Sequence, residues 1–542
     1  MNTKVFAWLL AAGLLLLNPR TSQAHFLWLL TTPPNEPTQV NVYFGESAEP
    51  AEPTLLSRVA KAQVWLIGER GKATALDLQL AADSLSAKLP GPGTVILNHT
   101  YGISKKGGAP FLLKYYAKTY PSVLPTSWQS VRDAERLPLE IVPSLTLAGT
   151  RLRVFWQGKP LAGATVTVAG PGIEGQLEGT SDEAGVMIAN LPQAGVYSVR
   201  ARHIEALPGT LDGEAYETIR HYSTLTWHAV PLQVVPVAHQ LPSLPKGTTS
   251  FGGAVIDDSL FVYGGNYGSA HTYVQEEQSG DLWKLDLRKP GTWEVVSTGP
   301  RLQGLAMVEH SGWVYRMGGF SATNKRGEKE NLVSQADVAR YQPSTGTWES
   351  LPSLPAPRSS HDAARLGDVI YVAGGWNMQG GSQNAVWHDT AWKLDLSRKP
   401  LVWEPLAPPP FRRRALSLAT WSGKLYCVGG MEQNGTPTTA VNVYDPTTNR
   451  WTTGPSLLGT AMDGFGNSTF ASQERLYATT FSGSIQRLNS AGTTWELVGQ
   501  LDHPRFFHRL LPWHQDRLLV VGGASMETGK TESIEWLSTS TP

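Results

Sequence analysis

Histidines, arginines and a single cysteine carry the chemistry open to this sequence. His25 follows Ser22-Gln23-Ala24, with small residues at −3 and −1 of an export-type cleavage site. Cleavage there leaves His25 first, and its free α-amine and imidazole can then chelate one ion. Nitrogen-rich tetragonal sites suit Cu(II) or Ni(II), and an α-amine with a pKa of about 8 gives up its proton near neutrality. His99, His203 and His221 are the candidate further ligands. The competing reading has His25 open a strand and pack on Trp28. No His-x-His pair supports a preformed site.

A second constellation is basic. Pro300-Arg301, Pro357-Arg358, Arg412-Arg413-Arg414 and Pro504-Arg505 recur at long intervals. Arg301, Arg358, Arg413 and Arg505 can form an approximate ring, with two possible roles. Guanidinium forks can hold an anionic ligand or sugar, or they can tie loops to backbone carbonyls. The tying role is the stronger reading for the ring itself. The residues just beyond it are the better ligand contacts: Gln303, Ser359, Ser360, Arg414, Phe506 and Phe507, with Asp463 in a comparable place. Arg413 and Arg301 are kept as candidates with them.

Other chemistries find no support. Lys+Arg and Asp+Glu are both 45, so the net charge is zero. Together with export, that argues against nucleic acid as the partner of Arg412–Arg414. Nucleophile-elbow, zinc-protease, phosphate-loop and dinucleotide motifs are missing. One cysteine, Cys427, allows no intrachain disulfide, and its place in an apolar strand suits a buried thiol.

The elements that must position these groups are strands. Gly 54, Pro 38 and Trp 19 in 542 residues imply many turns between aromatic-rich strands, hence an all-β chain. Residues 1–24 read as a signal peptide, with Lys4 before the apolar run Val5–Leu17. Beyond it no run reaches a membrane span, so the expected location is a bacterial periplasm or the cell exterior.

Double glycines close apolar strands at Gly264-Gly265, Gly318-Gly319, Gly374-Gly375, Gly429-Gly430 and Gly522-Gly523, with a degenerate copy at Ser482-Gly483. The period is about 50 residues. Each unit adds a second strand and then a Trp: Trp293, Trp348, Trp403, Trp451, Trp495. This pattern resembles the kelch repeat, which implies a six-bladed β-propeller over 231–542. The last unit lacks its outer strand, and Val237–Pro242 is expected to supply it. Connections after the double glycines are long at 266–280, 320–336 and 376–390, whereas the opposite turns are short. A ligand is therefore expected on the long-loop face, near the axis.

Before the propeller, strand patterns suggest two modules. Residues 25–145 form a β-rich unit, and 146–230 read as an immunoglobulin- or transthyretin-like sandwich. Together, Ala24-His25-Phe26-Leu27-Trp28, Pro110–Tyr115, Gly213–Tyr216 and Arg220–Leu225 resemble an exported bacterial domain-of-unknown-function family linked with nickel or cobalt uptake.

These features lead to an exported multidomain binding protein. Its propeller is a platform for a carbohydrate or protein ligand, and its N-terminal half is a possible metal site. The alternative is a sugar epimerase or mutarotase. Leu282–Asp286 and Leu511-Pro512-Trp513 look like the periplasmic kelch epimerases of sialic acids. Mutarotation needs only a flanking acid and base, with Glu276, Glu277, Asp463 and His388 available. A third resemblance, to the galactose-oxidase-like propeller, implies a Cys–Tyr copper site, for which Cys427 is badly placed.

Overall fold

The computed structural model describes residues 25–32, 38–50, 53–68, 71–91, 93–106, 108–120, 132–146, 149–191, 193–229, 241–514 and 516–539. The expected signal peptide and residues 237–240 of the expected closing strand lie outside the described residues.

Among the described residues the chain is all-β, with short 3-10 turns besides. One eight-stranded sheet runs through the N-terminal half. Thr218–Ala229 pairs in parallel with Phe111–Thr119, so strands on both sides of the expected 145/146 boundary share that sheet. Side-chain alternation then gives it two buried faces. Tyr115, Ala117, Val95 and Leu97 pack under Phe26–Thr32 and Gln39–Gly45. Tyr116, Ile96, Val199 and Trp227 pack under the sheet that holds Leu139, Ile141, Leu152 and Val154. The result is two sandwich cores, back to back, with a common middle layer.

Six further sheets make the propeller. Their innermost strands are Gly252–Ile256, Ala306–His310, Asp362–Leu366, Ser417–Trp421, Ser468–Ser472 and Arg509–Pro512, and they adjoin in cyclic order, last against first. Among the described residues, blades 1 to 5 have four strands and blade 6 has three. The second strand of each blade is buried on both faces, which explains continuous apolar runs such as Leu-Phe-Val-Tyr in Ser259–Tyr263. Six apolar clusters fill the six seams between blades. One joins Phe261 and Tyr263 to Val314 and Tyr341, and another joins Leu260 and Val262 to Leu519 and Ile534.

The outer-strand tryptophans stitch blade to blade. The Trp403 indole N–H donates to the Pro352 carbonyl (2.9 Å), Trp451 to Ala407 (2.7 Å) and Trp495 to Pro455 (2.9 Å). Trp293 of blade 1 donates likewise to Pro242 (3.3 Å). Leu244 N–H reaches the Glu532 carbonyl of blade 6 (2.8 Å), as Leu354 reaches Ala336 in blade 2 (2.8 Å). Pro242 and Leu244 thus stand to blade 6 as Pro352 and Leu354, just after the outer strand, stand to blade 2. The double glycines are needed where blades meet. At Gly318, with φ of 57°, a Cβ would lie 2.4 Å from the Arg358 carbonyl oxygen.

Candidate functional site

The long loops surround a mouth built from six short segments that enter the innermost strands. One residue from each lies on the axis: Ser250, Gly304, Ser360, Ala415, Gly466 and Phe507. Their φ angles run from 51° to 63°. Each donates its backbone N–H to the carbonyl of the residue in the preceding blade. Gly304 reaches Ser250 (2.7 Å), Ser360 reaches Gly304 (2.7 Å), Ala415 reaches Ser360 (2.8 Å), Gly466 reaches Ala415 (3.1 Å) and Phe507 reaches Gly466 (2.8 Å). Ser250 closes the circle on Phe507 (3.4 Å). Left-handed backbone turns each N–H and C=O along the ring, which side chains alone could not achieve.

Two residues before each ring position is the clamp position. Arg358, Arg413 and Arg505 hold it in blades 3, 4 and 6. Arg358 donates to the carbonyls of Gly374 (2.7 Å) and Thr390 (2.9 Å), Arg413 to Gly429 (2.9 Å) and Ala440 (2.6 Å), and Arg505 to Gly522 (3.2 Å) and Ser533 (3.0 Å). All three are buried. Burial pushes the Arg358 guanidinium down to about 9 and that of Arg505 to about 10. These arginines tie loops to carbonyls, so Arg413 is committed to the scaffold. Thr248, Leu302 and Gly464 hold the same position in the other blades. Arg301 is one residue out of register with the clamp. It is exposed and donates to the Gln275 carbonyl (2.7 Å), so the four arginines form no ring.

The remaining candidates divide by exposure. Gln303 is buried and accepts from the Gln278 amide (3.1 Å). Ser359 is fully buried, 2.8 Å from the Ser334 hydroxyl. Asp463 is buried and accepts from Thr460 N–H (2.9 Å), the Thr480 hydroxyl (3.0 Å) and Ser482 N–H (3.2 Å). These three knit loops together. Ser360, Arg414, Phe506 and Phe507 are only partly buried and border the mouth.

Arg414 lies over the Trp376 ring, 4.3 Å from its centroid, with Trp387 at 5.7 Å. In blades 5 and 6, Phe506 meets Phe507 (5.1 Å), Phe481 (5.3 Å) and Phe465 (6.1 Å). All of these rings are partly exposed. Sequence reasoning missed Trp376, Trp387, Phe465 and Phe481. Trp376 directly follows the Gly374-Gly375 pair, and that was a usable signal. Trp387 and Phe465 depend on how loops fold over.

Below the ring the axis is bridged. Arg509 of blade 6 pairs with Asp362 of blade 3 (2.9 Å) and donates to the carbonyls of Phe251 and Leu305 (both 3.1 Å). Above it the ring encloses a concavity of about 50 Å³. Below it a cavity of about 300 Å³ is lined by Val255, Glu309, Arg365, Thr420 and Phe470, at the ends of the innermost strands toward the short turns. The larger axial volume is therefore on the face opposite the long loops.

The acid–base candidates do not pair. Glu277 is buried against Arg326 (2.5 Å), and Glu276 is exposed. His388 lies 3.0 Å from the Pro357 carbonyl, and burial lowers its pKa to about 4. Burial raises the Cys427 thiol to about 12, so it is a core residue.

The four metal candidates fall on different faces of the eight-stranded sheet. His25 and His99 border the Phe44–Tyr101 aromatic group. His203 and His221 lie against the Trp156 ring on the other side, tilted and edge-on, where His221 contacts Tyr116 (3.0 Å) and Glu205 (3.1 Å). Among the described residues, no group of three or more His, Cys, Asp or Glu side chains converges as a metal set. No helix among them is long and apolar enough to cross a membrane.

Comparison with known proteins agrees with this architecture. A model described as a domain of unknown function, DUF4198, matches residues 22–205, and a kelch motif matches 412–458. The chain is 25% identical to a kelch-like protein, terF, of Aspergillus terreus over 49% of this chain and 58% of that protein. It is 32% identical to an N-acetylneuraminate epimerase of Haemophilus influenzae over 26% of this chain and 35% of that one. The chain thus spans less than two thirds of the length of these curated relatives. A solved structure, that of YjhT, aligns over 54% of this chain and 95% of its own with 18% identity and a TM-score of 0.44. The C-terminal half is a kelch β-propeller.

Proposed function

We propose that this is an exported binding protein whose kelch propeller takes an acidic sugar, or a chain bearing one, on its long-loop face. The observation that carries this reading is Arg414 laid on Trp376, together with the partly exposed Phe506–Phe507 pair that borders the same mouth. Aromatic faces give apolar area to a sugar ring, and a partly buried guanidinium offers a charge-assisted fork to its carboxylate. The test is a glycan array at two salt concentrations, followed by Arg414→Ala and Phe507→Ala. The reading expects binding that weakens with salt and falls at least about tenfold in each variant. Binding undiminished in both variants removes the site. A protein ligand on the same face would instead appear as binding with no glycan hit.

The second reading is a sialic-acid epimerase or mutarotase. It is favoured by the 32% identity to N-acetylneuraminate epimerases and weakened by the commitment of Glu277, Asp463 and His388 to structural partners. Proton-NMR exchange of sialic acid anomers with and without the protein separates the two. For the N-terminal half we propose a single-residue chelate, in which export leaves His25 first with its α-amine free for Cu(II) or Ni(II). Mass spectrometry of the exported chain and metal titration against His25→Ala test it.

A further inference from the structure

The clamp position provides an internal comparison. In blades 4 and 6 the guanidinium spans two carbonyls: that of the first glycine of the pair, and that of the residue to which the glycine's own N–H donates. These are Gly429 and Ala440 in blade 4, and Gly522 and Ser533 in blade 6. In blade 1 the matching residues are Gly264 and Asp281, joined by the Gly264 N–H (3.4 Å). Thr248 stands where the arginine would be. It is too short to reach them, and its hydroxyl donates to the Asn266 carbonyl (3.2 Å). Blade 2 fills the place differently, with Leu302 packed into the seam core. Blade 5 meets the equivalent Ser482 carbonyl with the Gln500 amide (2.9 Å).

In blade 1 a cavity of about 310 Å³ occupies this place, bordered by Thr248, Gly264, Asp281 and Trp283. It is as large as the smaller ligand pockets of proteins. It shares no lining residue with the axial mouth.

We propose that this cavity is a binding site for a guanidinium-bearing ligand. The head group takes the two-carbonyl position that the chain's own arginines fill elsewhere. Asp281 adds a carboxylate charge to that position, and Trp283 adds an aromatic face. Two further charges bear on it. Arg301 lines the cavity while tied to the Gln275 carbonyl, and Lys246 lines it while lying 4.4 Å from the Tyr267 ring centroid. Two positive groups at the edge disfavour a simple cation and suit a ligand that carries a carboxylate with its guanidinium. The class is therefore free arginine, or a chain that ends in arginine.

Calorimetric titration of the full chain with L-arginine tests this, with L-citrulline as the neutral isostere and agmatine as the analogue without a carboxylate. L-Arginine is expected to bind, and both analogues to bind about tenfold or more weakly. Thr248→Arg supplies the missing internal guanidinium. It should abolish binding while raising the melting temperature. Asp281→Asn keeps the volume and should weaken binding about tenfold or more, which carries the test if Thr248→Arg fails to fold. No heat with L-arginine at millimolar concentration overturns the proposal, as does equal binding of citrulline or unchanged binding by a folded Thr248→Arg. Agmatine binding as tightly as L-arginine overturns the carboxylate requirement.

Discussion

The backbone N–H of Ser250 meets the carbonyl of Phe507, at the far end of the propeller sequence, and closes a ring of six hydrogen bonds on the axis. Each bond joins consecutive blades, so no blade can move outward without breaking two. The mouth of the platform is thus rigid backbone. The side chains that differ around it decide what it binds.

The ring makes a conformational prediction. Ala415 sits at φ 53°, a region that costs an L-residue roughly 1 kcal/mol. Ala415→Gly should be neutral or stabilise by up to about 1 kcal/mol. Ala415→Val should destabilise by about 2 kcal/mol or more, since a β-branched residue fits that region worst. Urea denaturation followed by tryptophan fluorescence measures both.

The clamp arginines should matter for stability. Arg413→Leu removes the guanidinium from the Gly429 carbonyl and the Asn442 side-chain oxygen, and leaves the Ala440 carbonyl with the Gly429 N–H alone. A loss of at least about 3 kcal/mol is expected. Arg301→Ala, at an exposed side chain outside the register, should change stability by about 0.5 kcal/mol or less. Equal losses in the two variants would refute the separation of clamp from surface arginine.

Buried histidines predict acid sensitivity. Burial holds His508 down to about 3, with Arg505 and Arg509 adding to the effect, and holds His388 and His221 down to about 4. The folded values lie below the ordinary 6.5, so the unfolded chain takes up protons first as pH falls. Their contribution is intact above about pH 6.5 and is lost as pH drops through the window down to about 4 or 3. Each histidine removes up to about 1.4 kcal/mol per pH unit within its window. His508→Gln should flatten the fall in denaturation midpoint between pH 6 and pH 4. An unchanged slope would count against neutral burial of His508.

In the N-terminal half, Lys118 and Glu140 form an ion pair with both side chains about 2% exposed. Burial lowers the lysine's pKa, and Glu140 pulls it back. Glu140→Gln should therefore cost about 3–5 kcal/mol, because it leaves a buried charge. Lys118→Met with Glu140→Leu should recover most of that loss. Thermal unfolding of the single and double variants decides it.

The repeat, its glycines and its tryptophans were legible because each blade repeats one solution to the same packing problem. Arg414, Phe506 and Phe507 could be chosen from their place after the recurrent arginines. The register of Arg301 could not, because Pro300-Arg301 imitates Pro357-Arg358 while the chain reaches the axis one residue later in blade 2, at Gly304, than in blade 3, at Ser360. Arg413 was readable as a clamp or as a ligand contact. Only its burial between two carbonyls separates the roles. The histidines failed as a group for a geometric reason. Strand alternation sends His99 and His221 to opposite faces of a sheet whose continuity across residue 145 local pattern does not encode.

The sequence by itself determined an all-β chain, a six-unit propeller and the positions of its turns, since these follow from local periodicity and glycine placement. Tertiary structure decided three other things: that Thr248 leaves a cavity, that Arg509 and Asp362 bridge the axis, and that Trp376 comes to carry Arg414. Each depends on residues from different blades or distant loops meeting in space. Such meetings are set by ring closure and seam packing, which no stretch of a single blade contains.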